Sequence, residues 1–310
     1  MTRDLLSIRD LTAGELRGIL DEAERLKGLR KKGVSHPLLA GKSLGMIFEK
    51  SSTRTRVSFE VGMYDLGGHA LFLNPRDLQL GRGEEIRDTA RVLSRYVHGV
   101  MIRAYHHTTL EEYARYSAVP IINGLSNREH PCQVLADLLT LRERFGSLEG
   151  LRVAWIGDGN NVCHSLILSA ALTGIRVAVA TPAEYRPDPG IMAAAKEGKG
   201  NVILTTDPIE AVADADAVYT DVWVSMGEEE EKARRLQAFQ RYTVTEKLLS
   251  AAADRAIVLH CLPAHRGEEI SDRVLEGPAS AVWDQAENRL HAQKALLVRL
   301  LGHTPQDRKK

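Results

Sequence analysis

The sequence predicts an α/β fold: two doubly wound parallel-sheet domains, with a C-terminal helix returning to the first. Three observations predict it. Short apolar runs alternate with helical patterns along the chain, as parallel sheets covered by helices require. The length of 310 residues and the 44% hydrophobic content suit about two domains and exclude intrinsic disorder. A polar, glycine-bounded break at 146–150 separates two halves with the same grammar. The expected domains are therefore 1–148, joined by a terminal helix at 285–305, and 149–284.

In the first half, 43–48 reads as a strand and 53–66 as a helix, ended by Gly67 and Gly68. A short strand follows at 69–73. The stretch 84–96 carries Ile86, Ala90 and Leu93 at helical spacing, continued by Val97. Strands are expected at 98–102 and 119–122. A helix at 131–145 begins with Pro131, favoured at a first helical position, and lines up Val134, Leu138, Leu141 and Phe145. In the second half, strands are expected at 151–156, 176–180, 201–205, 217–222 and 256–260, with a helix at 161–172 and helical stretches between the later strands. The last helix, 285–301, carries Leu290, Leu297, Leu300 and Leu301.

Composition narrows the function classes. The chain has 41 basic and 41 acidic residues, so it lacks the basic surplus of a nucleic-acid binder. Any anion must be met by local arginines. No apolar run approaches the roughly 18 residues of a membrane span. The N-terminus has early acids and no apolar core of a signal peptide. Three cysteines, Cys132, Cys163 and Cys261, are too few and too scattered for a disulfide framework, which points to the cytoplasm.

Two motifs mislead. Gly41-Lys42-Ser43 imitates the end of a P-loop, but His36 stands where the first glycine belongs and the motif precedes its strand. Gly157-x-Gly159 imitates a dinucleotide fingerprint, but Val162 occupies the third glycine position and no acid ends the next strand. A nicotinamide enzyme is disfavoured.

Other motifs carry chemistry. Ser51-Ser52-Thr53-Arg54-Thr55-Arg56 places hydroxyls and guanidinia where a strand gives way to a helix. Free backbone N–H groups and the helix dipole make that junction an anion site suited to phosphate; the plain alternative is an N-cap with solvated arginines. Arg103 follows a strand, at the edge where α/β proteins bind ligands. His130-Pro131-Cys132-Gln133 displays an imidazole and an amide able to polarise a carbonyl and hold an NH2 group. Asp221, at a strand end before Trp223-Val224-Ser225-Met226-Gly227, suits an ammonium, or caps a turn. The acids at 228–231 read as the opening of a helix. His260-Cys261-Leu262-Pro263 ends a strand. A metal site or a nucleophilic cysteine would need partners that spacing does not supply.

Taken together, Ser52-Thr53-Arg54-Thr55, His130-Pro131-Cys132-Gln133, Asp221 with Ser225-Met226-Gly227, and His260-Cys261-Leu262-Pro263 resemble the transcarbamylase family. The last two motifs resemble its ornithine-directed branch. The aspartate-directed branch has His-Pro-Leu-Pro in place of the last motif and lacks the Ser-Met-Gly loop. The resemblance runs from about residue 2 to 301.

The resemblance implies transfer of a carbamoyl group from carbamoyl phosphate to the side-chain amine of L-ornithine, giving L-citrulline. It implies no metal and no organic cofactor. Ser52, Thr53, Arg54 and Thr55 would hold the phosphate, with Arg103 bridging phosphate and carbonyl oxygen. His130 would bind that oxygen and Gln133 the carbamoyl nitrogen. Arg289 would be a further carbamoyl-phosphate contact, and Gln79 would reach a neighbouring subunit's phosphate. Asn161 would hold the ornithine carboxylate; Asp221 and Ser225, with Met226 nearby, its α-ammonium. Cys261 and Leu262 would line the attacking amine and the carbamoyl nitrogen. The partners implied are these two substrates and further copies of the chain, in a homotrimer or a multiple of trimers. Putrescine and aspartate are the alternative acceptors within the family.

Overall fold

A computed structural model describes residues 4–74, 76, 83–224 and 229–302. In chain order the first part comprises α1 (Ala13–Lys31), β1 (Ser43–Phe48), α2 (Thr53–Asp65), β2 (His69–Leu73), α3 (Ile86–Tyr96), β3 (Gly99–Arg103), α4 (His107–Tyr116), β4 (Ile121–Leu125) and α5 (Pro131–Phe145). The second comprises β5 (Arg152–Ile156), α6 (Asn161–Thr173), β6 (Arg176–Ala180), α7 (Pro189–Glu197), β7 (Asn201–Thr205), α8 (Pro208–Val212), β8 (Ala217–Thr220), α9 (Lys232–Phe239), α10 (Glu246–Leu249), β9 (Ile257–His260) and α11 (Asp272–Leu275). A final helix, α12, spans Val282–Leu301. The chain forms two compact units, 1–139 with 287–310, and 140–286. Most of α12 thus belongs to the first unit.

All strand pairs in both sheets are parallel. The first sheet has the order β2-β1-β3-β4 and the second β7-β6-β5-β8-β9. Parallel strands buried on both faces must be apolar nearly throughout. Thus β3 is buried along its length, and β1 and β5 from their second residue on. In the second unit, Trp155 and Tyr219 on paired strands β5 and β8 pack with ring centroids 4.8 Å apart.

The order of each sheet fixes where ligands can go. In the first, β1 leads outward to β2, and the chain then returns to β3 on the other side of β1. In the second, β5 leads outward to β7 and returns to β8. At such reversals, adjacent loops leave in opposite directions and open a crevice at the strands' carboxyl ends.

Several boundaries differ from the sequence expectation. β3 begins at Gly99 and includes Arg103, and β4 runs from Ile121 to Leu125. In the second half, β9 begins at Ile257, and β8 ends at Thr220, leaving Asp221 just beyond it. The acids Glu229–Glu231 form a separate 3-10 turn before α9. The terminal helix starts earlier, at Val282. Among the described residues, no helix is long and apolar enough to cross a membrane.

Candidate active site

In the first unit, the expected phosphate loop sits at the carboxyl end of β1, beside the reversal to β3. Ser52 is the N-cap of α2, and its hydroxyl accepts a hydrogen bond from the Thr55 N–H at 3.2 Å. That bond fixes the first turn, so the remaining N-terminal amides and the dipole are held in place. Thr53 is exposed, Arg54 half-buried and Thr55 buried. Ser58 donates to the Arg54 carbonyl at 2.6 Å, bracing the same turn.

Arg103 ends the neighbouring strand β3 and is 7% exposed. His130 and Gln133, after β4, are equally enclosed. Burial holds the His130 imidazole well below its ordinary pKa, and the positive charges of Arg289, Arg103 and Arg54 push it further down. A cation is excluded there, so His130 is a neutral donor–acceptor.

Arg289 reaches this site from α12. Its Nη1 donates to Gln133 Oε1 at 2.7 Å, its Nη2 to Thr55 Oγ1 at 3.2 Å and its Nε to Gln293 Oε1 at 3.0 Å. The Gln133 Nε2 donates to Asp137 Oδ1 at 2.8 Å. The first unit therefore gathers three guanidinia, a buried hydroxyl, a neutral imidazole and an amide around one place. Such a set neutralises a phosphate while offering donors to a carbonyl oxygen. Cys132, between His130 and Gln133, donates to the Asn123 carbonyl; burial pushes its thiol up to about 12, so it is no nucleophile.

In the second unit, the loops after β5, β8 and β9 supply the expected residues. Asn160 caps α6, accepting from the Val162 and Cys163 amides, while its Nδ2 donates to Asp221 Oδ2 at 2.7 Å. The other carboxylate oxygen of Asp221 accepts from the Cys261 thiol and from the Val222 amide, each at 2.8 Å. Asp221 and Cys261 are thus brought together. Asn161, the sequence candidate, begins α6 and is half-buried; its neighbour Asn160 also belongs to this site, through Asp221. The preference for asparagine at N-caps is the signal that would have found it.

Leu262 adopts a left-handed backbone, with φ of 59°. Its N–H donates to His260 Nδ1 at 2.8 Å, and His260 Nε2 donates to the fully buried Glu269 at 3.0 Å. His260 therefore shapes the backbone that displays Cys261 and Leu262. Glu269 is a supporting residue that spacing gave no reason to single out.

In the Gly157-x-Gly159 turn after β5, Gly159 lies against the backbone at Pro187. A Cβ on Gly159 would lie 2.3 Å from the Pro187 nitrogen, so only glycine permits the close approach. Three of the expected site residues, Gln79, Ser225 and Met226, lie outside the described residues.

The model for the carbamoyl-P binding domain of the aspartate/ornithine carbamoyltransferases matches residues 3–143, and that for their Asp/Orn binding domain matches 149–300. The chain is 66% identical over 302 residues to the ornithine carbamoyltransferase of Methanoculleus marisnigri, covering 97% of this chain and 98% of the relative. It is 61% identical to that of Archaeoglobus fulgidus, with 97% and 98% covered. Among solved structures, the ornithine carbamoyltransferase from Pyrococcus furiosus superposes with a TM-score of 0.94 at 52% identity, covering 98% of each chain.

Proposed function

The chain belongs to the ornithine carbamoyltransferase family, and from that membership we infer how its residues divide the work. The reaction transfers the carbamoyl group of carbamoyl phosphate to the side-chain amine of L-ornithine. A C–N bond forms, the C–O bond to phosphate breaks, and citrulline and phosphate leave. The observation that carries the residue assignment is the convergence of Arg54, Arg103 and Arg289 on the buried, neutral His130 beside the capped N-terminus of α2.

Carbamoyl transfer passes through a tetrahedral state with negative charge on the carbonyl oxygen and on the departing phosphate. Ser52, Thr53, Arg54 and Thr55 hold the phosphate, and Arg103 spans phosphate and carbonyl oxygen. Arg289 is a further contact to the donor. His130 donates to the carbonyl oxygen, which a neutral imidazole does without repelling the arginines. The Gln133 amide oxygen accepts from the carbamoyl nitrogen. In the second unit, Asp221 receives the ornithine α-ammonium together with Ser225 and Met226, Asn161 holds its carboxylate, and Cys261 and Leu262 line the amine. The attacking amine must be neutral, although free ornithine is mostly protonated at pH 7; the leaving phosphate can take the proton. No covalent bond to Cys261 is required.

Gln79 completes the phosphate site of a neighbouring copy, so the active form is a homotrimer or a multiple of trimers. The cytoplasm is its place of work, in keeping with three cysteines that are all free thiols.

A citrulline assay with carbamoyl phosphate and each of ornithine, putrescine and aspartate tests the acceptor. Ornithine should be preferred. Asp221→Asn should impair ornithine use far more than carbamoyl phosphate use, because it removes the charge that meets the α-ammonium. Preference for putrescine, which has no carboxylate for Asn161, would refute the assignment.

A further inference from the structure

A primary amide has one accepting end and one donating end, and a half-turn about its last bond exchanges them. The role assigned above to Gln133 needs the accepting end presented to the carbamoyl nitrogen. What prevents the half-turn lies in the hydrogen bonds on either side. Toward one end stands Arg289, whose guanidinium has only donors, 2.7 Å from Gln133 Oε1. Toward the other stands a carboxylate oxygen of Asp137, an acceptor, 2.8 Å from Gln133 Nε2. Asp137 is one helical turn beyond Gln133 on α5, so the two side chains share a face of the helix. A flipped amide would set donor against donor at Arg289 and acceptor against acceptor at Asp137. Gln133 is 2% exposed and Asp137 fully buried, so water is not at hand to repair either mismatch.

We propose that Asp137 is a positioning residue for carbamoyl transfer: it holds the Gln133 amide with its oxygen toward Arg289 and the carbamoyl nitrogen. The hold extends to the phosphate loop. Arg289 also binds Thr55 and Gln293, and the Gln293 Nε2 donates to Ser58 Oγ at 2.7 Å. Ser58 in turn donates to the Arg54 carbonyl. The donor sense of the whole run is set at its charged members, Asp137 and Arg289. Orientation of Gln133 is therefore linked to the geometry of the cradle without Asp137 touching substrate.

The inference rests on the reading that Gln133 contacts the carbamoyl nitrogen, and a double-mutant cycle separates the two. Gln133→Met, Asp137→Asn and the pair are compared by steady-state kinetics, with folding checked by thermal melting. Asp137→Asn keeps the shape but removes the charge and can turn either a donor or an acceptor to Gln133, so the amide is no longer held by a group that only accepts. It should lower kcat/KM for carbamoyl phosphate by about ten- to a hundredfold, the loss expected when a buried hydrogen bond to a charged group is given up, with the KM for ornithine nearly unchanged. In the Gln133→Met background the same change should cost little more, because there is no amide left to orient. A purely structural role would give the same loss in both backgrounds. If Asp137→Asn does not accumulate folded, Asp137→Ser is read in the same cycle. Wild-type kinetics for Gln133→Met would sink the reading of Gln133. A harmful Gln133→Met beside a harmless Asp137→Asn, or additive losses in the pair, would overturn the role of Asp137.

Discussion

At the scale of single residues, charge and burial decide more than residue type does. His130 is a histidine kept from being a cation, because burial and three arginines oppose its protonation. The sign of its effect on stability follows. In the unfolded chain the imidazole takes a proton below pH ~6.5. In the folded chain it stays neutral well below that value, so the unfolded state binds more protons. This site's contribution to stability is therefore full above pH ~6.5 and is lost progressively as the pH falls from there toward the depressed folded value. An NMR titration of the His130 imidazole should show it neutral at pH 6; a protonated ring at that pH contradicts the assignment. Arg54 offers a second test. Arg54→Ala removes a charge-assisted contact to the departing phosphate and should cost on the order of 3 kcal/mol, about a hundredfold in kcat/KM for carbamoyl phosphate. The residue is half-buried at the start of α2, so thermal stability should change little. Near wild-type kinetics would remove Arg54 from the cradle. Both residues were visible in the sequence, because a Ser-Thr-Arg-Thr turn and a His-Pro-x-Gln turn concentrate chemistry at a strand end. Asp137, Asn160 and Glu269 were not, because each acts through a partner and so leaves no motif of its own.

At the scale of elements, legibility followed propensity. The five strands of the second half are short segments dominated by apolar residues, each with at least one valine, and their composition marks them as strands. β4 was expected to stop at Ile122 because Asn123 and Gly124 are poor strand formers. Tertiary contacts override them: Asn123 donates to the Leu6 carbonyl at 2.8 Å, and a Cβ on Gly124 would lie 2.4 Å from Met101 Sδ. β3 was expected to end before Arg103 because an arginine is costly inside a sheet; it pairs in register with Phe48 all the same. α1 leaves little mark in the sequence, since its charges obscure the stripe of Leu16, Ile19, Leu20, Ala23 and Leu26 that it buries. The terminal helix has the opposite lesson, for it buries a charge. Lys294 of α12 is fully buried, 2.5 Å from His36 Nε2 and 3.0 Å from Asp65 Oδ2 on α2. Burial lowers the lysine and Asp65 partly restores it. Burial would raise Asp65, but Lys294 and Arg30 together outweigh it, leaving it lowered. The two partners are not equivalent. Asp65→Ala strands an ammonium inside the helix packing and should cost about 3 kcal/mol. Lys294→Met leaves Asp65 paired with Arg30 at 2.6 Å and should cost no more than about 1 kcal/mol. Urea titrations of the two variants check the order, and equal losses would mean that the lysine is not what the aspartate compensates.

At the scale of the whole molecule, a chain with 41 basic and 41 acidic residues offers no global attraction to its anionic donor. Recognition falls to local groups, and that makes the origin of each group a question of assembly. Arg103 ends a buried strand of the first unit and is enclosed with its own chain's His130 and Thr55. Gln79 belongs to a polar, glycine-flanked stretch of sequence after β2. β2 is an edge strand exposing Leu71 and Phe72, and α2 beside it exposes Val57 and Tyr64. Apolar exposure on a sheet edge favours self-association. In a closed ring of identical subunits, each phosphate site would then take Arg103 from its own chain and Gln79 from the next. Gln79→Ala and Arg103→Ala homotrimers should each be severely impaired, since every site in either carries a lesion. Mixed under reversible dissociation, the two should form hybrids. A site is whole when a Gln79→Ala chain, which keeps Arg103, is followed by an Arg103→Ala chain, which keeps Gln79. With equal amounts and random exchange, about a quarter of sites meet that condition. Activity should rise toward that fraction of wild type. If exchange is confirmed by mass and activity stays at the level of the parents, Gln79 serves its own chain or none, and the shared site must be given up.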